Sequence, residues 1–133
     1  MRLRVRACLT LGVAFLGGCA SFLSVPPEAI VTQRAQERLD ALMSGQTEES
    51  YAYTTPGYRS IRTWQEYSRN WAGVGMWLSA EVTEVDCGDL AKPQRCDAVV
   101  FVEFKAPRLP QSETYLRESW LLIDRNWYFY QKP

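Results

Sequence analysis

The chain has 133 residues, enough for one domain and too few for two, and its 47% hydrophobic and 13% aromatic content exclude a disordered chain. Arg2, Arg4 and Arg6 account for three of the 15 basic residues. The remaining 12 face 15 acidic ones, so beyond the first residues the chain is mildly acidic and leaves no electrostatic footprint for nucleic acid. Histidine is absent, which removes the usual base near neutral pH, Ser-His or Cys-His activation and the commonest metal ligand.

The start, MRLRVR, is basic and is followed by ACLTLGVAFLGG, an apolar run of about a dozen residues. That pattern fits a secretory leader, and the run is shorter than the roughly 20 residues a spanning helix needs. Leu16, Gly17 and Gly18 run directly into Cys19. Residues 1–19 resemble the leader and lipobox of bacterial lipoproteins. The resemblance implies a signal peptide over 1–18, a diacylglyceryl group on the Cys19 thiol, cleavage just before it and acylation of the new amine. Cys8 is then discarded with the leader. Ala20, where Asp would imply retention at the inner membrane, implies anchoring at the outer membrane, facing the periplasm. A single acyl chain holds only marginally, and two or three on one residue make a lasting anchor without any membrane-spanning helix.

On that resemblance residues 19–27 are expected to form the lipidated cysteine and a linker, and 28–133 the domain. The eight residues ASFLSVPP reach at most about 27 Å, so the domain stays near the bilayer. Phe22 and Leu23 either dip into the headgroups or pack back on the domain.

The stretch EAIVTQRAQERLDALMSG reads as an amphipathic helix, with Pro27 suited to a first helical position and Glu28 placed well for the helix dipole. Val31, Ala35, Leu39 and Leu42, with Met43 beside them, form its apolar stripe. Arg34, Glu37, Arg38 and Asp40 read as a solvated charged face, and Gly45 is a natural stop. QTEESYAYTT predicts a short second helix capped by Thr47 and ended by a turn at Pro56-Gly57. TWQEYSRNWAG predicts a third, opened by a Thr63 to Glu66 capping box. Trp64, Tyr67 and Trp71 lie on one face of it, and Gly73 and Gly75 break it.

Beyond residue 75 the period changes. MWLSAEVTEVDC alternates, with Met76, Leu78, Ala80 and Val82 on one side and Ser79, Glu81 and Thr83 on the other. CDAVVFVEFKA, ETYLRESWLLID and WYFYQK are three further strands, the last entered by a tight turn at Asp124-Arg125-Asn126. Helices first and then a run of antiparallel strands is an α+β pattern.

Cys87 ends one predicted strand and Cys96 begins the next, around the polar loop GDLAKPQR. For a chain exported from the cytoplasm, such a pair is placed to bridge the neck of the loop, which is worth roughly 2–3 kcal/mol. The alternative, a redox pair, lacks Cys-x-x-Cys spacing and a helix N-terminus to activate a thiol.

QRAQERLDALMSG, ESYAYTTPGYRS, TWQEYSRNW and the closing ESWLLIDRNWYFY together resemble the nuclear transport factor 2-like (SnoaL-like) cone over residues 28–131. The resemblance implies N-terminal helices on a curved antiparallel sheet, a turn-like segment around Tyr58–Ile61, a cone whose mouth is a ligand site in many relatives, and dimerisation through the sheet in others. Enzymes of that class place an Asp or His with Tyr in the cone. Here the pocket candidates are Asp40, Tyr51, Tyr53, Tyr67, Glu118 and Trp120, none in a recognisable catalytic motif. Trp120 and Trp127 suit a sugar or lipid platform, or cross-strand core packing. Arg117 and Glu118 alternate with apolar neighbours, so either can face inward. The expectation is a non-catalytic binding or envelope-assembly module without cofactor or metal, partnered by the membrane through Cys19 and by an envelope protein or a second copy through the sheet. The alternative is a small enzyme of the ketosteroid isomerase or polyketide cyclase kind, using a carboxylate or tyrosine in the cone.

Overall fold

The computed structural model describes residues 24–133; the leader and Cys19 lie outside the described residues. Helix α1 runs Pro27–Met43, with Pro27 at its first turn beside Glu28. It ends in a Schellman motif: Gly45, at φ 76°, donates from N–H to the Leu42 carbonyl, and Gln46 donates to that of Ala41. Helix α2, Thr47–Ala52, starts on Thr47 itself and has no side-chain cap.

The predicted turn at Pro56-Gly57 is instead the start of a helix, α3, Pro56–Ile61. Thr55 caps it, its Oγ1 accepting from the Tyr58 N–H, and Pro56 supplies the preset first turn. Helix α4, Trp64–Asn70, opens with the expected reciprocal capping box between Thr63 and Glu66. A 3₁₀ turn, Ala72–Met76, carries the two glycines that end it.

Four strands follow: β1 Trp77–Asp86, β2 Arg95–Phe104, β3 Ser112–Ile123 and β4 Asn126–Phe129. They form an antiparallel meander in the order β1-β2-β3-β4, curled under the helices. The class is α+β, helices on a curved antiparallel sheet, as expected. The β3–β4 hairpin turns on Asp124 (φ 48°) and Arg125 (φ 66°), both left-handed, as the strand twist requires of a two-residue connection. No glycine relieves the strain there.

Alternation along β1 departs from the expected pattern. Ala80 and Val82 face the core, but Met76 and Leu78 are exposed and Trp77 packs inward. A register irregularity between Trp77 and Ser79 is the cause, since one slipped residue reverses which side chains face in.

Val31, Ala35, Leu39 and Leu42 of α1 sit on a floor made by Ala80, Ala98, Val100, Val102, Trp120, Trp127 and Phe129. Both outer strands are partly covered. Phe129 donates to the Tyr53 carbonyl and accepts from the Thr55 N–H, so the α2–α3 link pairs with β4. On β1, the Gln36 side chain donates to Ala80 O and accepts from Val82 N–H, both at 3.0 Å, as a paired strand would. Cys87 and Cys96 are joined by a disulfide one step beyond the Asp86–Asp97 register pair.

Candidate functional site

The interior of the cone holds a charge pair. Arg38, expected on the solvated face of α1, is fully buried. Its number explains why: positions 31, 35, 38 and 42 follow helical spacing, so the arginine belongs to the apolar stripe despite its charge. Across from it, Glu118 of β3 points inward while Arg117 is exposed.

The Arg38 Nη2 donates to Glu118 Oε1, and the second carboxylate oxygen accepts from Trp120 Nε1 at 3.2 Å. Arg38 Nη1 donates to the Tyr67 hydroxyl at 2.9 Å, which also shares a proton with Ser50 Oγ at 2.8 Å. Aromatic faces close over the guanidinium, its Cζ standing 4.0 Å from the Phe129 ring centre and 4.7 Å from that of Trp71. Two N–H groups, Arg38 Nε and Trp71 Nε1, have no partner among the described residues. Burial pushes the Tyr67 phenol above its ordinary value, against the pull of the Arg38 charge, so the hydroxyl is neutral at ordinary pH.

Tyr67, Glu118 and Trp120 therefore meet in one cluster, with Arg38, Ser50, Trp71 and Phe129 that the sequence reading did not place there. Tyr51 stands at its edge, its ring against Tyr58 and Tyr67 and its hydroxyl donating to the Arg62 carbonyl at 2.6 Å. Tyr53 lies apart on the rim, donating to Glu37 Oε2 at 3.0 Å under the Arg34 guanidinium. Burial first, then that carboxylate, raise its phenol. Asp40 is exposed and accepts from Gln36. Trp64 is on the exposed side of α4, away from Tyr67. Trp127 packs in the core with Trp120.

The concave surfaces are elsewhere. One hollow of about 460 Å³ lies between α4 and the last residues, lined by Arg62, Glu66, Arg69 and Lys132 among others. Another of about 460 Å³ is bordered by Glu37, Asp40, Glu49 and Tyr53. Both are polar and open to solvent. No group of three Cys, Asp or Glu residues among those described is placed to hold a metal ion.

Chemically, the cluster is committed. Each Glu118 oxygen already accepts a hydrogen bond, Tyr67 is engaged twice, and neither reaches solvent. A general base must be free to take a proton from a substrate within hydrogen-bond reach.

No family model matches the chain, and no curated protein matches it. Its fold is similar to that of a SEC-C motif containing protein from Rhodopseudomonas palustris, with 17% identity and a TM-score of 0.57 over 74% of this chain and 73% of that one. A second SEC-C motif containing protein, from Psychrobacter arcticus, superposes with a TM-score of 0.60 at 14% identity over 95% of this chain and 75% of that one. A protein from Campylobacter jejuni named as a nuclear transport factor 2-like transpeptidase gives 0.49 at 14% identity, over 75% and 96% of the two chains. At these identities the likeness to the two SEC-C motif containing proteins is one of fold alone.

Proposed function

We propose that the protein is a lipid-anchored component of the cell envelope that works by binding at its surface, in a nuclear transport factor 2-like domain whose interior is closed. The observation that carries the binding reading is the sealed Arg38–Glu118–Tyr67–Trp120 cluster, which fills the space where an enzyme of this shape would hold its substrate. The anchor rests on the basic start, the short apolar run and Leu-Gly-Gly-Cys at 16–19. The Cys87–Cys96 bridge agrees with it, since disulfides persist outside the cytoplasm.

The binding face is the outer side of the sheet. Phe101 and Tyr115 stand opposite each other in the β2–β3 register with ring centres 5.3 Å apart, and Tyr115 is 63% exposed. Val99 and Leu121 extend the face, and Glu81, Glu113 and Arg117 border it. An envelope protein is the occupant, and a second copy of this chain is the other outcome to separate from it.

Purification of the native protein from detergent-solubilised envelopes tests both parts. Mass spectrometry of the mature N-terminus is expected to show an acylated Cys19, and a partner is expected to co-purify and be lost in Tyr115→Asp. An intact arginine-rich start or an unmodified cysteine overturns the anchor. Turnover that persists in Tyr115→Asp and vanishes in a Tyr67→Phe variant that still folds overturns the non-catalytic reading. Self-association in sedimentation, lost in Tyr115→Asp, assigns the face to a homodimer.

A further inference from the structure

Helix α1 has a fixed direction over the sheet. Arg38 meets Glu118, and one turn earlier Arg34 Nε donates to the carbonyl of Trp127 at 2.8 Å. Trp127 is the register partner of Leu122, four residues beyond Glu118 along β3, and Leu122 N–H donates to Gln94 O. Towards its N-terminus the helix therefore runs to the pole of the sheet that carries the Cys87–Cys96 loop and the Asp124–Arg125 turn. Pro27 lies about 10 Å further along the same axis.

At that pole the loop after β1 is held from three sides. The disulfide closes its neck, Pro93 is buried, and Gly88, at φ 71°, donates to Asp86 Oδ1 at 2.8 Å. What this frame presents is Leu90, 73% exposed, the most exposed large apolar side chain among the described residues. Val25, just ahead of α1, is 61% exposed. The charged residues of the pole nearly cancel, Lys92, Arg95 and Arg125 against Asp86, Asp89, Asp97 and Asp124, a net charge of −1, so charge alone does not draw the pole to an anionic surface and the contact is left to the apolar tip.

Only residues 20–26 separate Cys19 from α1, a span of at most about 25 Å. We infer that this pole faces the lipid surface, and that the disulfide-framed loop around Leu90 is a membrane-contacting element that orients the domain, with its apolar tip in the headgroup region. The inference rests on the anchor proposed above. The acyl chains supply the attachment, and the loop sets the orientation. The arrangement turns the β2–β3 connection, at the opposite pole, away from the bilayer and holds the outer sheet face upright for a partner.

Two leucines make the test. Leu90 and Leu109, which is 60% exposed in the β2–β3 connection, are similar in exposure and sit at opposite poles. The full-length protein, matured in its host, is prepared as Leu90→Cys and as Leu109→Cys. With Cys87 and Cys96 bridged and Cys19 acylated, the new thiol takes a spin label. Each protein is reconstituted into vesicles of phosphatidylethanolamine and phosphatidylglycerol, and the label's accessibility to an aqueous nickel chelate and to oxygen is compared. The expected result is a label at 90 that loses nickel access and gains oxygen access, while the label at 109 stays aqueous. Vesicle flotation and mass spectrometry of Cys19 are read on the same samples. Acylated protein that floats with both labels aqueous, or with only 109 shielded, overturns the orientation and leaves the anchor standing. Protein that carries an unmodified Cys19 and does not float overturns the anchor, and the orientation falls with it.

Discussion

Strand β3 carries two glutamates whose fates differ. Glu113 lies near its start, exposed to water and opposite Glu103 in the β2–β3 register. Glu118, five residues on, is buried under α1 with both oxygens bound. Outside, a carboxylate is solvated and replaceable. Inside, ionised Glu118 requires Arg38, and Arg38 requires Glu118, because a lone charge in that space has neither water nor counterion. The inner face is thus specified by mutual need, a constraint the outer face does not carry.

The largest effect should come from breaking that need. Glu118→Ala strands the Arg38 guanidinium between Trp71 and Phe129 and is expected to cost about 3–5 kcal/mol in urea unfolding. Glu113→Ala should stay within about 0.5 kcal/mol. Equal effects would erase the contrast between the two faces. The paired replacement of Arg38 by Met and Glu118 by Leu sharpens it. If the pair serves specificity more than stability, the double variant should recover most of the loss.

The next effect concerns the end of the sheet. Cys87→Ser with Cys96→Ser removes a closure spanning a sequence separation of 9 and should cost roughly 2–3 kcal/mol. The loss should be visible as a lower unfolding midpoint that matches the wild type under reductant. A midpoint unchanged by reductant would mean that the buried Cys87 and Cys96 act only as small apolar residues, like their neighbours on the inner face.

Much of this architecture could be read from the residues. The period change near residue 75, the Thr63–Glu66 box, the glycine stop at 45 and the two cysteines flanking a polar loop are local signals, and the structure shows each in place. Arg38 was legible by number and was misread by charge. Spacing put it on the buried stripe, and only the knowledge that Glu118 faces it across the sheet makes that placement affordable. That fact is long-range, at a sequence separation of 80, and no window of sequence contains it. The slip in β1 was hidden for a related reason. A bulge is set by what the partner strand offers, so Met76 and Leu78 alternate correctly in sequence and still end on the wrong side. Thr55-Pro56 was a readable cap and first turn, and the proline-glycine pair that follows masked it.

The smallest effect probes the neutral arm of the inner cluster. Tyr67→Phe keeps the ring and its packing against Tyr51, Tyr58 and Trp71 but removes the acceptor for Arg38 Nη1 and the partner of Ser50. The expected cost near neutral pH is about 1–2 kcal/mol, below that of Glu118→Ala because no charge is stranded. Its pH dependence distinguishes a lost hydrogen bond from lost packing. Burial raises the Tyr67 phenol, so above about pH 10 the unfolded chain releases that proton while the folded chain still holds it. The unfolded state then binds fewer protons, and stability falls as pH rises; below the ordinary phenol value this contribution is fully present. Removing the hydroxyl removes that slope. The gap between wild type and Tyr67→Phe should therefore narrow on going from about pH 8 to about pH 10.5. A gap that stays constant would mean that the phenol titrates as it does in water, which a hydroxyl sealed between Arg38 and Ser50 cannot do.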